Sequence, residues 1–176
     1  LKIIQESGEH LLTLINDILD LSKIEAGKLE LVLTEFHLPS FLHTIVEWFR
    51  IRAEQKEITF VYEPLSPLPE NICADEKRLR QILLNLLSNA IKFTQQGQVT
   101  LAIGYQSLST TANPSKLGKL SIQVEDSGIG IAKADIDQIF LPFQQVGTQS
   151  KMIEGTGLGL PITKRLIEMM GGPLQV

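Results

Sequence analysis

Residues 75–94 read DEKRLRQILLNLLSNAIKFT, and this stretch decides the fold. At about 100° per residue, Arg78, Gln81, Asn85, Ser88, Asn89 and Lys92 fall on one narrow stripe. Leu79, Ile82, Leu83, Leu84, Leu86, Leu87, Ala90, Ile91 and Phe93 fill the broad remainder. The spacing predicts a mostly buried helix over 76–93, with Asp75 as its N-cap. Its polar stripe carries two amides one turn apart and then a lysine. An amide oxygen is a neutral hard ligand suited to Mg²⁺, and a lysine can neutralise phosphate. Taken alone, the same pattern also describes an ordinary solvated helix face.

Upstream, residues 1–26 read as a helix. Ile4, Leu11 and Ile18 with Leu14 and Leu21 make a heptad-like seam, widened by Leu12, Ile15 and Leu19. A face that wide wants a partner helix. Gly27 ends the pattern as a C-terminal cap would. Residues 29–34 alternate and predict a short edge strand. A second helix is expected from Pro39 to Glu57, with Phe41, Ile45, Trp48, Phe49 and Arg52 on its inner face. Strands follow at 58–63 and around Ile72, separated by a connection with Pro64, Pro67 and Pro69.

Downstream, Gly97 marks a turn. Val99, Leu101, Ile103 and then Leu120, Ile122, Val124 give two period-2 strands, joined by a polar hairpin end from Ser107 to Gly118. Residues 132–140 predict a short helix, 141–157 a mobile loop, and 158–170 a last helix capped by Gly171 and Gly172. Pro173 to Val176 reads as the start of a strand. Helices and strands interleave without a regular βαβ rhythm. That predicts an α/β fold, a two-layer sandwich with helices on one face of a mixed sheet.

Composition sets the outer bounds. The chain has 176 residues, 43% hydrophobic and 20% charged, which suits one domain plus an appendage. A net charge of −4 gives no sign of a nucleic-acid-binding surface. The one cysteine, Cys73, excludes an internal disulfide and a zinc cluster, and its apolar neighbours predict a buried thiol. Apolar runs stop well short of the roughly 20 residues of a membrane span. The sequence starts in mid-helix and reads as a piece of a longer protein, so missing targeting elements say little about the parent.

Two further motifs carry chemistry. Asp126-Ser127-Gly128-Ile129-Gly130 follows a strand. A carboxylate there can accept a hydrogen bond from an exocyclic amine such as that of adenine, and glycines let backbone approach a flat base. Gly155-Thr156-Gly157-Leu158-Gly159-Leu160 opens the last helix, where free amides favour phosphate. No strand precedes these glycines, so they are not a dinucleotide fingerprint, and Gly-Lys-Ser/Thr is absent, so they are not a Walker loop. In isolation each motif is also a plain turn.

In this order the three resemble the nucleotide-binding boxes shared by DNA gyrase, the 90-kDa heat-shock chaperone, histidine kinases and mismatch-repair ATPases, the GHKL superfamily with its Bergerat-type fold. The finer likeness is to two-component sensor histidine kinases. Residues 75–94 resemble their asparagine box. VEDSGIGIA (124–132) resembles the first glycine box, IFLPFQ (139–144) the phenylalanine box, and GTGLGL (155–160) the second glycine box. LLTLINDILDLSKIEAGK (11–28) resembles the end of the second helix of the dimerisation and phosphotransfer hairpin.

The resemblance implies a layout: 1–28 as the end of that helix, 29–34 as a linker strand, and 35–176 as the catalytic ATP-binding domain. It implies ATP and Mg²⁺ as ligands. Asn89 would hold the metal with Asn85 in support, Lys92 would reach the phosphates, and Phe93 would lie near the base. Asp126 would read the adenine amine, with Gly128, Gly130 and Ile131 shaping its pocket. Gly155, Thr156, Gly157, Leu158, Gly159 and Leu160 would wrap the phosphates. Residues 141–156 would form a mobile ATP lid, hinged near Phe140 and Phe143.

The implied partners are a second copy, through the helical hairpin, and a response-regulator receiver domain. The implied setting is cytoplasmic, with any membrane tether upstream. Three departures stand out. Glu154 replaces a common glycine, and Pro161 a common alanine, tolerable in a first helical turn. None of His10, His37 and His43 has the acceptor context of histidine, acidic residue, Arg-Thr-Pro. The phosphoacceptor and its acidic neighbour are thus expected upstream of Leu1. A rival reading is an ATP-driven clamp of the chaperone kind, which uses a glutamate on the metal-binding helix. Here that turn offers Asn85, which counts against a hydrolase.

Overall fold

The computed structural model describes residues 2–108, 117–144 and 155–176; for 2–7, 9 and 10 it describes the backbone alone. The chain forms two compact units, one of residues 32–130 and one of residues 1–31 with 131–176.

The central unit runs β1 (Thr34–His37), α2 (Leu38–Gln55), β2 (Thr59–Pro64), β3 (Asn71–Ala74), α3 (Glu76–Phe93), β4 (Gln98–Ser107) and β5 (Gly118–Asp126). β4 is the middle strand of a mixed sheet. β2 lies parallel to it, Thr59 opposite Gln98, and β5 antiparallel, Val99 opposite Asp126. A parallel pair needs a crossover, and the segment holding α3 supplies it. β1 and β3 form a separate antiparallel pair, Thr34 opposite Ala74.

α2 packs on β2 and α3, and α3 packs on β4 and β5. The core between them is apolar: Phe41, Leu42, Ile45 and Phe49 of α2; Leu79, Ile82, Leu83, Leu87 and Ile91 of α3; Val99, Leu101 and Ile103 of β4. Burying each such side chain is worth about 1.5–3 kcal/mol. Asp75 fixes where α3 begins. One carboxylate oxygen accepts the Arg78 N–H at 2.9 Å, and the other accepts the Val32 N–H at 2.9 Å. His37 caps α2 in the same manner, its ring nitrogen accepting the Ser40 N–H at 3.2 Å.

In the other unit α1 (Lys2–Glu25) packs against α4 (Gly159–Met169). Leu14, Asp17, Leu21 and Ile24 are half-buried, whereas Leu11, Leu12, Ile15, Ile18 and Leu19 stay exposed. Backbone bonds from Gly27 to Ile24 and from Lys28 to Lys23 close α1. Leu158, Ile162 and Leu166 are buried, and Lys164 lies 4.9 Å from the Phe140 ring centroid.

Five sequence expectations need correction. Residues 29–33 are not a strand: the Val32 N–H is bound to the Asp75 carboxylate, and pairing starts at Thr34. Trp48 and Arg52 are not on the inner face of α2. Trp48 is 44% exposed with the Arg52 guanidinium 4.2 Å from its ring centroid, because Phe49 and Ala53 take the core stripe. Cys73 is exposed, since β3 belongs to the two-stranded pair, outside the main sheet. Residues 132–140 form two 3-10 turns, Lys133–Asp135 and Gln138–Phe140, not one α-helix. Residues 173–176 form no strand.

Candidate functional site

α3 carries the first group of candidate residues. Leu83, Leu87, Ala90 and Ile91 sink into the core, which leaves Asn85 and Asn89 half-buried and Lys92 exposed along the other side. The helix ends at Phe93, whose ring centroid lies 5.2 Å from the Lys92 ammonium. β5 delivers the second group to the same place. The Gly128 N–H donates to the Asp126 carboxylate at 2.9 Å, so Asp126 closes its own turn. Ser127 ties that turn to β4, its hydroxyl oxygen accepting the Gln98 N–H at 2.9 Å.

Gly128 is there because nothing larger fits. A Cβ on it would stand 2.6 Å from the Phe93 carbonyl oxygen and 2.6 Å from the Asp126 carboxylate. The turn bearing Asp126 is therefore pressed against the end of the helix bearing Asn85, Asn89 and Lys92. Beside it, the Thr94 hydroxyl is buried with no hydrogen-bond partner among the described residues. Gly130 sits just beyond, in the exposed end of the turn.

The third group belongs to the other unit. Gly155, Thr156, Gly157 and Leu158 lead into α4, which begins at Gly159 and Leu160. No side chain of N-cap Leu158 caps this helix, so its first turn offers backbone N–H groups to an anion. The Thr156 hydroxyl oxygen accepts the Leu158 N–H at 3.1 Å. Gly157 lies under Phe143: the Phe143 N–H donates to the Gly157 carbonyl at 3.0 Å. Phe143 itself is 64% exposed, and Ile131 is exposed as well.

One charged neighbour was not anticipated from sequence. Burial first, and then the Asp20 carboxylate, push the Asp17 carboxyl of α1 above its ordinary range, while a hydrogen bond with Thr156 pulls it back. Lys56 was also missed; its ammonium donates to the carbonyls of Ile91 and Lys92. A lysine at a helix end gives no sequence signal of which helix it will grip. Most of the expected lid, residues 145–154, lies outside the described residues.

The donor set can be tested against a metal. Among the described residues no group of three His, Cys, Asp or Glu side chains could hold one. The oxygens offered on α3 are the neutral amides of Asn85 and Asn89. Such a pair is too poor to retain Mg²⁺ alone, but it suits a Mg²⁺ that arrives bound to phosphates, the usual mode for that ion.

Known proteins bear on this geometry. The chain is 41% identical over 178 residues to the aerobic respiration control sensor protein ArcB of Escherichia coli (strain K12), covering all of this chain and 22% of that protein. The chain thus spans about a fifth of the length of this relative. Among solved structures it resembles full-length ShkA in complex with AMPPNP, with 37% identity, a TM-score of 0.75, and 97% of this chain and 33% of that one covered. It also resembles the histidine kinase ThkA in complex with the response regulator protein TrrA, with 26% identity, a TM-score of 0.65, and 97% and 43% covered. The fold is that of the ATP-binding catalytic domains of histidine kinases. The profile of the histidine kinase-, DNA gyrase B- and HSP90-like ATPases matches residues 74–176, the stretch holding all three groups of candidate residues, and the chain belongs to that family.

Proposed function

We propose that this chain is the ATP-binding kinase core of a two-component sensor histidine kinase. It positions Mg-ATP so that the γ-phosphoryl group passes to a histidine on a dimerisation hairpin and then to an aspartate of a response regulator. The observation that carries this reading is the turn of Asp126 and Gly128 pressed on the end of α3, beside Lys92 and one to two turns from Asn89 and Asn85. Asp126 there is a charged acceptor for the adenine amine, with Gly128, Gly130, Ile131 and Phe93 around the base. Asn89, aided by Asn85, holds the Mg²⁺, and Lys92 meets the phosphates. Gly155 to Leu160 and the first turn of α4 supply backbone donors to the phosphate chain, and Phe143 anchors the lid. Phosphoryl transfer asks little covalent chemistry of protein, so this division into grip, charge neutralisation and positioning is sufficient.

Residues 1–28 are read as the end of the dimerisation helix, 29–34 as the linker and 35–176 as the catalytic domain. The exposed Leu11, Leu12, Ile15, Ile18 and Leu19 support pairing with a second hairpin helix and a second copy. The response regulator as partner is supported by the ThkA–TrrA complex. ATP as substrate supports a cytoplasmic setting for the domain. The test is calorimetric titration with Mg-ATP and Mg-GTP. Guanine presents a carbonyl where adenine presents an amine, so ATP is preferred. Asp126→Asn loses a bond to a charged acceptor, worth on the order of 1.5–3 kcal/mol, or roughly 10- to 100-fold in affinity. Equal ATP affinity in both proteins removes Asp126 from the role.

A further inference from the structure

We infer that Lys56 is a positioning residue for the nucleotide site, a clasp that fixes the end of α3. The inference rests on the nucleotide-binding reading above. A helix leaves its last carbonyls without intrahelical donors. In α3 the Thr94 N–H still reaches the Ala90 carbonyl, but the chain then turns extended, with Thr94 at φ −89 and ψ 118. The next two carbonyls, of Ile91 and Lys92, are taken by one side chain from another helix. The Lys56 ammonium donates to both, at 2.8 Å for Lys92.

The reach of Lys56 is set by its own backbone. It is the C-cap of α2, and its N–H is bonded back to Ala53. Glu57 then takes a positive φ of 59°, and the Ile58 N–H returns to the Ala53 carbonyl, with Ile58 buried. Lys56 lines a cavity of about 410 Å³ together with Phe49, Arg52, Gln55, Ser88 and Lys92, with no carboxylate among the lining residues to compete for its ammonium. A positive charge there also faces the negative end of the α3 dipole.

The two held carbonyls belong to the residues just before the aromatic ring assigned to the base. The third carbonyl, of Phe93, is the one against which Gly128 is pressed. The end of α3 is thus held on one side by Lys56 and bounded on another by the Asp126 turn. Lys56 touches no nucleotide in this account; it sets where Lys92 and Phe93 stand. Without it the last turn of α3 frays, and Lys92 loses its fixed origin.

The test compares the full chain with Lys56→Met and Lys56→Arg. Methionine keeps the length and apolar stem, whereas arginine restores a cationic donor. Lys56→Met is expected to weaken Mg-ATP binding by roughly three- to tenfold and to speed hydrogen exchange at the amides of Lys92 to Thr94, with the β4 amides unchanged. Lys56→Arg is expected to recover most of both. Wild-type affinity in Lys56→Met overturns the inference. So does a general rise in exchange across β4 that arginine does not repair, since that marks a merely structural lysine. Absence of ATP binding by the unsubstituted chain overturns the nucleotide reading itself, a result distinct from an unaltered Lys56→Met.

Discussion

Gly157→Ala is the substitution whose cost the structure defines most fully. Gly157 has φ +69, a left-handed conformation that costs an L-residue roughly 1–2 kcal/mol. A Cβ there would also stand 2.9 Å from both Cα and the carbonyl carbon of Phe143 and 3.2 Å from the Gln144 nitrogen. Those are backbone atoms, which cannot rotate away as a side chain would. Overpacking of that kind costs about 1–3 kcal/mol. The sum is about 2–5 kcal/mol, borne by the loop proposed to bind the phosphates. Gly130 separates the two terms. It has φ +67 but nothing within 4 Å of an added Cβ, so Gly130→Ala carries the conformational cost alone. Urea unfolding of both variants, with Mg-ATP titration in parallel, gives the comparison. Gly157→Ala is expected to lose at least twice the stability lost by Gly130→Ala and to bind ATP more than tenfold more weakly. Equal losses in the two proteins would refute the argument from Phe143, and unchanged affinity would detach Gly157 from the phosphates.

Two further substitutions probe polar groups, one half-buried and one buried. Asp17 has a raised pKa in the folded chain, so its favourable contribution is complete below the ordinary value of 3.8 and is lost as pH rises through the folded value. Asp17→Asn should therefore raise the melting temperature at neutral pH, by less than about 3 °C because the group is partly solvated, and the gain should vanish near pH 3. Thermal melts from pH 3 to 8 would show it, and a gain that grows towards acid would contradict the sign. Thr94→Val removes a buried hydroxyl without a partner among the described residues and is expected to stabilise by about 1 kcal/mol in urea. A loss of that size would show that the hydroxyl has a partner after all.

The elements legible in sequence were those where one physical rule dominates. α3 was readable because six polar residues lie on one stripe and Asp75 is a strong cap; its observed span matches the expected 76–93. β4 and β5 were readable from period-2 alternation. The failures came where tertiary partners decide. Val32 breaks an alternating pattern because a buried carboxylate 43 positions away claims its N–H. Trp48 looks like core by size, yet Phe49 and Ala53 already fill the stripe and Arg52 stacks on the exposed ring. The candidate residues on α3 and in the Asp126 turn stand out by motif. The ties that hold them, from Lys56 to the end of α3 and from Ser127 to β4, do not, because a hydrogen bond to backbone far along the chain leaves no pattern in sequence.

The central claim is phosphoryl transfer to a histidine outside this chain, and γ-labelled ATP tests it most directly. The chain is incubated with Mg-ATP alone, and with a separately produced dimerisation hairpin that carries a histidine in acceptor context. The account predicts no acid-labile label on the chain alone and slow labelling of the hairpin, abolished by Asn89→Ala, since in-line attack needs the metal and the phosphates fixed together. Acid-labile label on the chain alone, lost in His10→Ala, would contradict it, and so would ATP turned over to free phosphate with none reaching the hairpin.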